Sequence, residues 1–592
     1  MTSTQRTMGT DPRHDVRSED LPACGHAEGP GDLVGADPVP EAFRTWMRVC
    51  ARSGWVACRE SETVGLAGAV GRVTIESTRA LWSSPAYRAV AMDGIAVRAL
   101  DTTGAADREP VRLPAGRFHR VDTGDPMPEH LDAVVMREYV EFDDDGAALV
   151  ATAVSPDRHV RSVGEDIEAG QVVLAAGHRI RPVDAAALAA AGHTTIRVRS
   201  RPVVAILPTG DEVRPLGAVP AHGEVLDTNS LMLAGMVEEA GGSALCLPIA
   251  PDQPDTITGS LTAAAERADL VLVIAGSSAG RDDHTPAVIG ALGEIAVRGV
   301  AMRPGHPVLL GLLTGGRPVP VVGVPGYPAS AERTFTCFAL PLLRRLLGAD
   351  HSADDGVPAR LGSAISSPSH LDEQVRLRLA RVSHPRTGFE SLVAIPLRRG
   401  AGAMDSMVRT EATLRIPIGR SGFAAGADVR PIPVPGAAFR TGTILVNGLI
   451  SQATAELVAL TGEHRETVHW TESDPLDAAA ALLDGLCHAA AVRLEARVDV
   501  RDYDAVAAIV TYAGEVTVLE IARTASAREV LVVPGAAFDS PPITALRTVL
   551  RSEAFRRGLV RCHGYSGWGA GHETWQGPVP LIDDGSDVRL LE

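Results

Sequence analysis

The sequence predicts a multidomain α/β protein with a doubly wound domain at its centre. Three observations carry that expectation. Leu270–Ile274 is a short, unbroken apolar run of the kind that parallel sheets bury on both faces. Gly276 and Gly280 bracket small residues, Ser277 and Ser278 among them, directly after that run. Such a turn lets backbone N–H groups approach an anion closely. Strand and helix patterns alternate on both sides, across residues 200–350. A second apolar run, Pro320–Val324, meets another tight turn at Pro325-Gly326-Tyr327. Two strand-to-turn switches flanked by Asp269 and Asp283 describe a crevice at the carboxyl ends of a sheet.

Composition narrows the function. A chain of 592 residues exceeds one hydrophobic core, so several domains are expected. Only 4% of residues are aromatic, so the cores must be built from Val, Leu, Ile and Ala. No apolar run is long enough for a bilayer. Seven cysteines without a CxxC pair argue against zinc and a secreted disulfide framework, and favour a reducing cytoplasm. The sequence contains no lysine, which excludes a Walker-type lysine, a pyridoxal Schiff base and a lysine nucleophile. A net charge of −17 argues against general nucleic-acid binding. An anionic ligand must therefore be held by local arginines and backbone donors.

Taken in order, residues 1–38 are polar and rich in Gly, Pro and Asp, and are expected to form a disordered tail. Phe43, Trp46, Met47 and Val49 have helical spacing, and residues 39–83 with 181–199 are expected to form a linker or elongated domain. Strand and turn alternate across 84–180, predicting a β-rich domain. It carries Asp93 before Gly94, a turn pair, and Arg161 ahead of Glu165 and Asp166. In the α/β domain, residues 200–350, the strand Val203–Leu207 runs into Thr209, Gly210, Asp211 and Glu212. Asp227-Thr-Asn-Ser caps a helix at Leu231–Ala240, strands follow, and a helix at Ala331–Leu347 closes the domain. Residues 355–435 read as a small β barrel, and 440–592 as a C-terminal α/β domain.

The motifs AMDGIAV (91–97), TGDPMPEHLDAVV (123–135), RSVGEDIEAG (161–170), PTGDEV (208–213) with DTNS (227–230), and AGSSAGRDD…RPGHP…GVPGYPAS (275–330) stand in order. Together they resemble the MoeA/gephyrin-E family of molybdopterin molybdotransferases, over about Glu41–Val434. The resemblance implies a MogA-like α/β domain and a reaction in which adenylylated molybdopterin is cleaved, molybdate is inserted into the dithiolene, and AMP leaves with magnesium assisting. It also implies a homodimer, a possible molybdopterin adenylyltransferase partner, and a site between the α/β domain of one subunit and the β-rich domain of the other. The family's functional acids fall on Asp93, Asp166, Glu212, Asp269 and Asp283, and its arginine on Arg161. Carboxylates of this kind suit a hydrated magnesium ion or an attacking water. The amides of Gly276–Gly280 suit a phosphate, and Arg161 and Arg303 suit phosphate or molybdate charge.

The pattern departs from the family in places. GGVSVG becomes AGSSAG, and KPGKP becomes Arg303-Pro-Gly-His306-Pro, which removes both lysines. GLPGNP becomes GVPGYP, placing Tyr327 where a small amide is usual. A non-catalytic molybdate or pterin binder on the same scaffold is the competing reading, and a nucleotide pyrophosphatase a third. Asp269 also reads as a strand-boundary acid, Asp283 as a cap beside Asp282, and His306 as a loop histidine. His563, His572, Trp568 and Trp575 read as terminal packing. More faintly, the C-terminal region resembles a shortened periplasmic-binding-protein-like domain, through Asp477–Leu486, His488, Val492 and Asp502-Tyr503-Asp504.

Overall fold

The computed structural model describes residues 36–57, 60–274, 284–348, 355–400, 402–436, 443–462, 467–495, 516–562, 565–566, 570–571 and 573–577. Its centre is a six-stranded sheet in the order Ser243–Cys246, Val203–Pro208, Leu270–Ile274, Val319–Val324, Leu309–Leu313, Gly293–Arg298. The first four strands are parallel; Leu309–Leu313 runs antiparallel to both of its neighbours, so Gly293–Arg298 again runs in the direction of the first four. Every residue of Leu270–Ile274 and Val319–Val324 is buried. Alternate residues serve opposite faces, as strand geometry requires. Val204, Ile206, Leu270, Leu272 and Val322 pack into one core with Leu233, Val237, Phe335 and Leu342. Ala205, Leu207, Val271, Val273 and Val321 pack into the other with Ile257, Leu261 and Ile289. Burial on both faces is why these strands read as continuous apolar runs.

The helix Val39–Arg52 belongs to this domain rather than to a linker. Its stripe Ala42, Trp46, Val49 and Cys50 is buried in the first core, and the Trp46 indole N–H donates to the Gly311 carbonyl at 2.8 Å. The helix Thr228–Glu239 begins where the cap predicts, with Asp227 Oδ1 accepting the Ser230 N–H. The closing helix starts earlier than its sequence suggested, at Pro328, and widens into a π turn at Phe335–Ala339 before Leu340–Leu347. Pro341 has no N–H for a regular helical bond, which accounts for a wider turn beside it.

In the β-rich segment, Gly94–Val97 is the middle strand between His119–Val121 and Ala133–Met136, and Ala89–Val90 pairs with Val160–Arg161. In the small β domain the long strand Asp372–Ser383 pairs with Glu390–Pro396 and Ala412–Ile416. Met302–Arg303, from the α/β segment, joins its edge at Asp372 and Glu373. The C-terminal sheet has the order Thr467–Glu472, Thr443–Gly448, Ala489–Glu495, Ala527–Pro534, Val516–Arg523, Glu573–Gly577. Most of the segment Asp477–Leu486 lies in the helix Pro475–Leu483, which is capped by Asp474. One apolar cluster joins Ala380, Val382, Val393 and Ile395 of the small β domain to Leu445, Leu482, Val492 and Val532 of the C-terminal one. His488 spans the junction: Nδ1 accepts the Leu445 N–H and Nε2 lies 2.9 Å from the Arg381 carbonyl. His563, Trp568, His572 and Asp502-Tyr503-Asp504 lie outside the described residues.

Candidate functional site

The carboxyl ends of Val203–Pro208, Leu270–Ile274 and Val319–Val324 are adjacent and parallel. Their following turns therefore share one edge of the sheet, where ligands of doubly wound folds bind. Thr209 is buried, and both its N–H and its hydroxyl donate to the Ile274 carbonyl at 3.0 Å. The Gly210 N–H donates to the Ala250 carbonyl. A Cβ at Gly210 would stand 2.8 Å from a Glu212 carboxylate oxygen, so glycine lets Glu212 fold over the turn. Gly326 is held from the neighbouring helix: Asn229 Nδ2 donates to its carbonyl at 2.7 Å. Pro325 is buried, while Gly326 and Tyr327 are exposed at the same edge. Leu309 pairs with Gly323, so the segment carrying Arg303 and His306 also approaches that edge. His306 Nδ1 lies 2.7 Å from the Val300 carbonyl, which identifies Nδ1 as the donor there.

Asp252 was not singled out by sequence reasoning. It follows the edge strand Ser243–Cys246 and sits opposite Asp211: the Asp252 N–H donates to Asp211 Oδ1 at 3.2 Å, and the Asp211 N–H to Asp252 Oδ2 at 3.4 Å. Burial first, then the charges of Glu212 and Asp211, push the Asp252 carboxyl above the usual range, against the opposing hydrogen bond from the Asp211 N–H and a weaker pull from His284. Only the Pro251-Asp-Gln-Pro turn chemistry hinted at this residue.

Asp269 is a correction. It precedes Leu270–Ile274 and so occupies the amino end of the strand, about 17 Å from the crevice edge at ~3.3 Å per residue. Its Oδ2 accepts the Val203 N–H at 2.9 Å, and its Oδ1 pairs with Arg317 at 2.9 Å. It staples two strands together. Gly276, Ser277, Ser278, Gly280 and Asp283 lie outside the described residues.

The other acids sit in the β-rich segment, and their described partners are all local. Asp93 Oδ1 accepts both the N–H and the hydroxyl of Thr123 at 2.7 Å. These bonds, the backbone one first, hold its carboxyl below the usual range. Gly94 is obligatory beside it, because a Cβ there would meet the Val135 carbonyl oxygen at 2.0 Å. Arg161 is not a free cation. Its Nη2 donates to Asp166 Oδ2 at 2.5 Å and its Nε to Glu165 Oε1 at 3.1 Å. Those carboxylates, Asp166 first, raise the guanidinium pKa further. Arg161 is thus paired with both acids of its own segment. Asp93 and Asp166 flank the antiparallel pairing of Ala89–Val90 with Val160–Arg161 from opposite ends: Asp93 lies beyond Val90, and the Asp166 N–H donates to the Ser84 carbonyl. The structure records no hydrogen bond or ion pair from either to the α/β edge among the described residues.

Fold and site together define a multidomain α/β protein with a polar crevice at the carboxyl edge of its central sheet. Residues 38–192 match the model of the MoeA N-terminal region (domain I and II), and residues 205–345 that of a probable molybdopterin binding domain. A molybdopterin molybdenumtransferase 2 of Mycobacterium tuberculosis is 34% identical over 337 residues, 53% of this chain and 81% of that one. A molybdopterin molybdenumtransferase of Haemophilus influenzae is 31% identical over 300 residues, 49% of this chain and 74% of that one. The molybdopterin biosynthesis moeA protein from Pyrococcus horikoshii OT3 superposes with a TM-score of 0.55 at 27% identity, covering 67% of this chain and all of that one (100%). The chain belongs to the MoeA family of molybdopterin molybdenumtransferases.

Proposed function

We propose that this protein is a molybdopterin molybdenumtransferase. It takes adenylylated molybdopterin, inserts molybdate into the dithiolene, and releases AMP. The observation that carries this reading is the shared carboxyl edge, where Thr209–Glu212, Arg303 and Pro325–Tyr327 converge in a chain of this family. Backbone amides and Arg303 suit the phosphates, and Glu212 with Asp211 suits water activation or cation binding. Asp93 and Asp166 complete the site from a second subunit of a homodimer. In support, the segment that carries these acids exposes the large apolar residues Leu81, Trp82, Tyr87, Met92 and Val163, a surface that suits a cover.

Among the described residues, no group of three or more His, Cys, Asp or Glu side chains is placed to hold a metal ion. Magnesium is accordingly assigned to the substrate's phosphates, with one or two crevice carboxylates as its protein contacts, a common arrangement for this ion. No described helix is long and apolar enough to cross a membrane. The proposed setting is the cytoplasm, beside a molybdopterin adenylyltransferase that supplies the substrate. The C-terminal sheet, with parallel strands leading into helices, is read as one lobe of a periplasmic-binding-protein-like domain that buttresses the small β domain.

Purified protein incubated with adenylylated molybdopterin, magnesium and molybdate tests the reading. AMP release with formation of active cofactor is expected. Tight binding without turnover would instead favour the non-catalytic binder, for which the loss of both family lysines is the motivating observation.

A further inference from the structure

The small β domain brings an arginine-bearing loop, with residues 398–400 and 402, up to the crevice. The edge of its strand Asp372–Ser383 is shared by three segments. Glu390–Pro396 pairs along its far half, from Leu377 to Ser383. Next along, the Leu397 N–H donates to the Arg376 carbonyl at 2.9 Å. At the near end, Met302–Arg303 pairs with Asp372 and Glu373. Arg398 and Arg303 thus hang from one strand edge, anchored three residues apart, about 10 Å at strand rise.

The chain after Pro396 is held by buried groups. Arg376, 7% exposed, donates through Nη2 to the carbonyls of Arg398 at 3.3 Å and Gly400 at 3.1 Å, and through Nε to Ser406 Oγ at 3.0 Å. Arg399 turns inward, pairing with Glu373 at 3.2 Å and donating to the Ser366 carbonyl at 2.6 Å. Gly402 abuts the crevice itself, since a Cβ there would stand 3.5 Å from the Tyr327 ring. Arg398 is exposed, and its guanidinium has no partner among the described residues. Arg303 is half-buried and likewise unpaired among them. A buried arginine thus fixes the loop that begins at Arg398, whose exposed guanidinium is left unpaired among the described residues while Gly402 of the same loop lies against Tyr327 of the crevice.

We propose that Arg398 binds a phosphate of the substrate, and that it and Arg303 address different ends of the phosphoanhydride-linked ligand in a chain without lysine. This deepens the functional reading above and rests on it. The test is a fluorescence titration of full-length protein with adenylylated molybdopterin, molybdate and magnesium being withheld. Arg398→Gln is expected to weaken binding about tenfold, the scale of one charge-assisted hydrogen bond. It should also flatten the salt dependence and leave Tm unchanged. Arg398→Lys should keep most of the affinity. Arg386→Gln, which removes the same charge at the opposite end of the same strand, should bind like wild type. Unchanged affinity and salt dependence in Arg398→Gln, with wild type binding normally, would overturn the assignment alone. Failure of wild type to bind would overturn the functional reading and this assignment with it.

Discussion

Asp93 and Asp269 looked alike in sequence, each an acid next to a glycine-containing turn or an apolar run, yet their surroundings give them opposite work. Asp93 is solvated and tuned by Thr123; Asp269 is tied to Arg317 and to the Val203 amide. Thr123→Val removes one of the bonds that hold the Asp93 carboxyl low. The acid limb of the pH–rate profile should then move to higher pH with Tm unchanged, whereas an unmoved limb would remove Asp93 from the chemistry. Asp269→Asn should lower stability by about 1 kcal/mol in a denaturant titration, below the usual range for a charged hydrogen bond because Arg317 is half-exposed. Turnover should persist. The error at Asp269 has a plain cause: adjacency in sequence to the glycine turn is separated in space by the length of a strand.

The strand Asp372–Ser383 shows what element-level patterning hides. Its sequence mixes acids, arginines and aliphatics, yet most of it is buried. Asp372, 2% exposed, accepts from Arg333 Nη2 and Arg415 Nε, each at 2.6 Å, and so pins the helix Pro328–Thr334 to the small β domain. Asp372→Asn should cost about 3–5 kcal/mol, because Arg333 is left buried and uncompensated. The pair Arg333→Met with Asp372→Leu should cost less than the single change, measured by equilibrium unfolding. Equal losses would mean that the ion pair itself, and not the stranded charge, carries the effect. By contrast, the strands Leu270–Ile274 and Val319–Val324 and the Asp227 cap were legible because double-faced burial and capping each leave a local signature. Pairing of Met302–Arg303 with a strand some seventy residues later leaves none.

Across the whole molecule, the order of the modules could be read from their motifs, but not how they join. The C-terminal region read as an appended domain, yet it shares a core with the small β domain. Deletion after residue 436 should therefore expose Ala380, Val382, Val393 and Ile395 and yield aggregation-prone protein. A monodisperse, active truncation would refute that coupling. The junction should also be pH-sensitive. Burial holds His488 at a pKa of about 4, and burial with the charges of Arg378 and Arg409 holds His469 at about 4, below the ordinary 6.5. Depressed histidine pKa values mean that the unfolded chain binds more protons between these limits. Stability is thus full above about 6.5 and falls as pH drops toward 4. His488→Gln should lower Tm overall and flatten that slope. The central claim, a crevice in the α/β domain completed by acids of another subunit, is tested most directly by mixing two inactive variants, Asp93→Ala and Glu212→Ala, after co-refolding or co-expression. A shared site predicts recovery of about a quarter of wild-type turnover, because half the dimers are mixed and each holds one intact site. No recovery, with mixed dimers demonstrated, would contradict it.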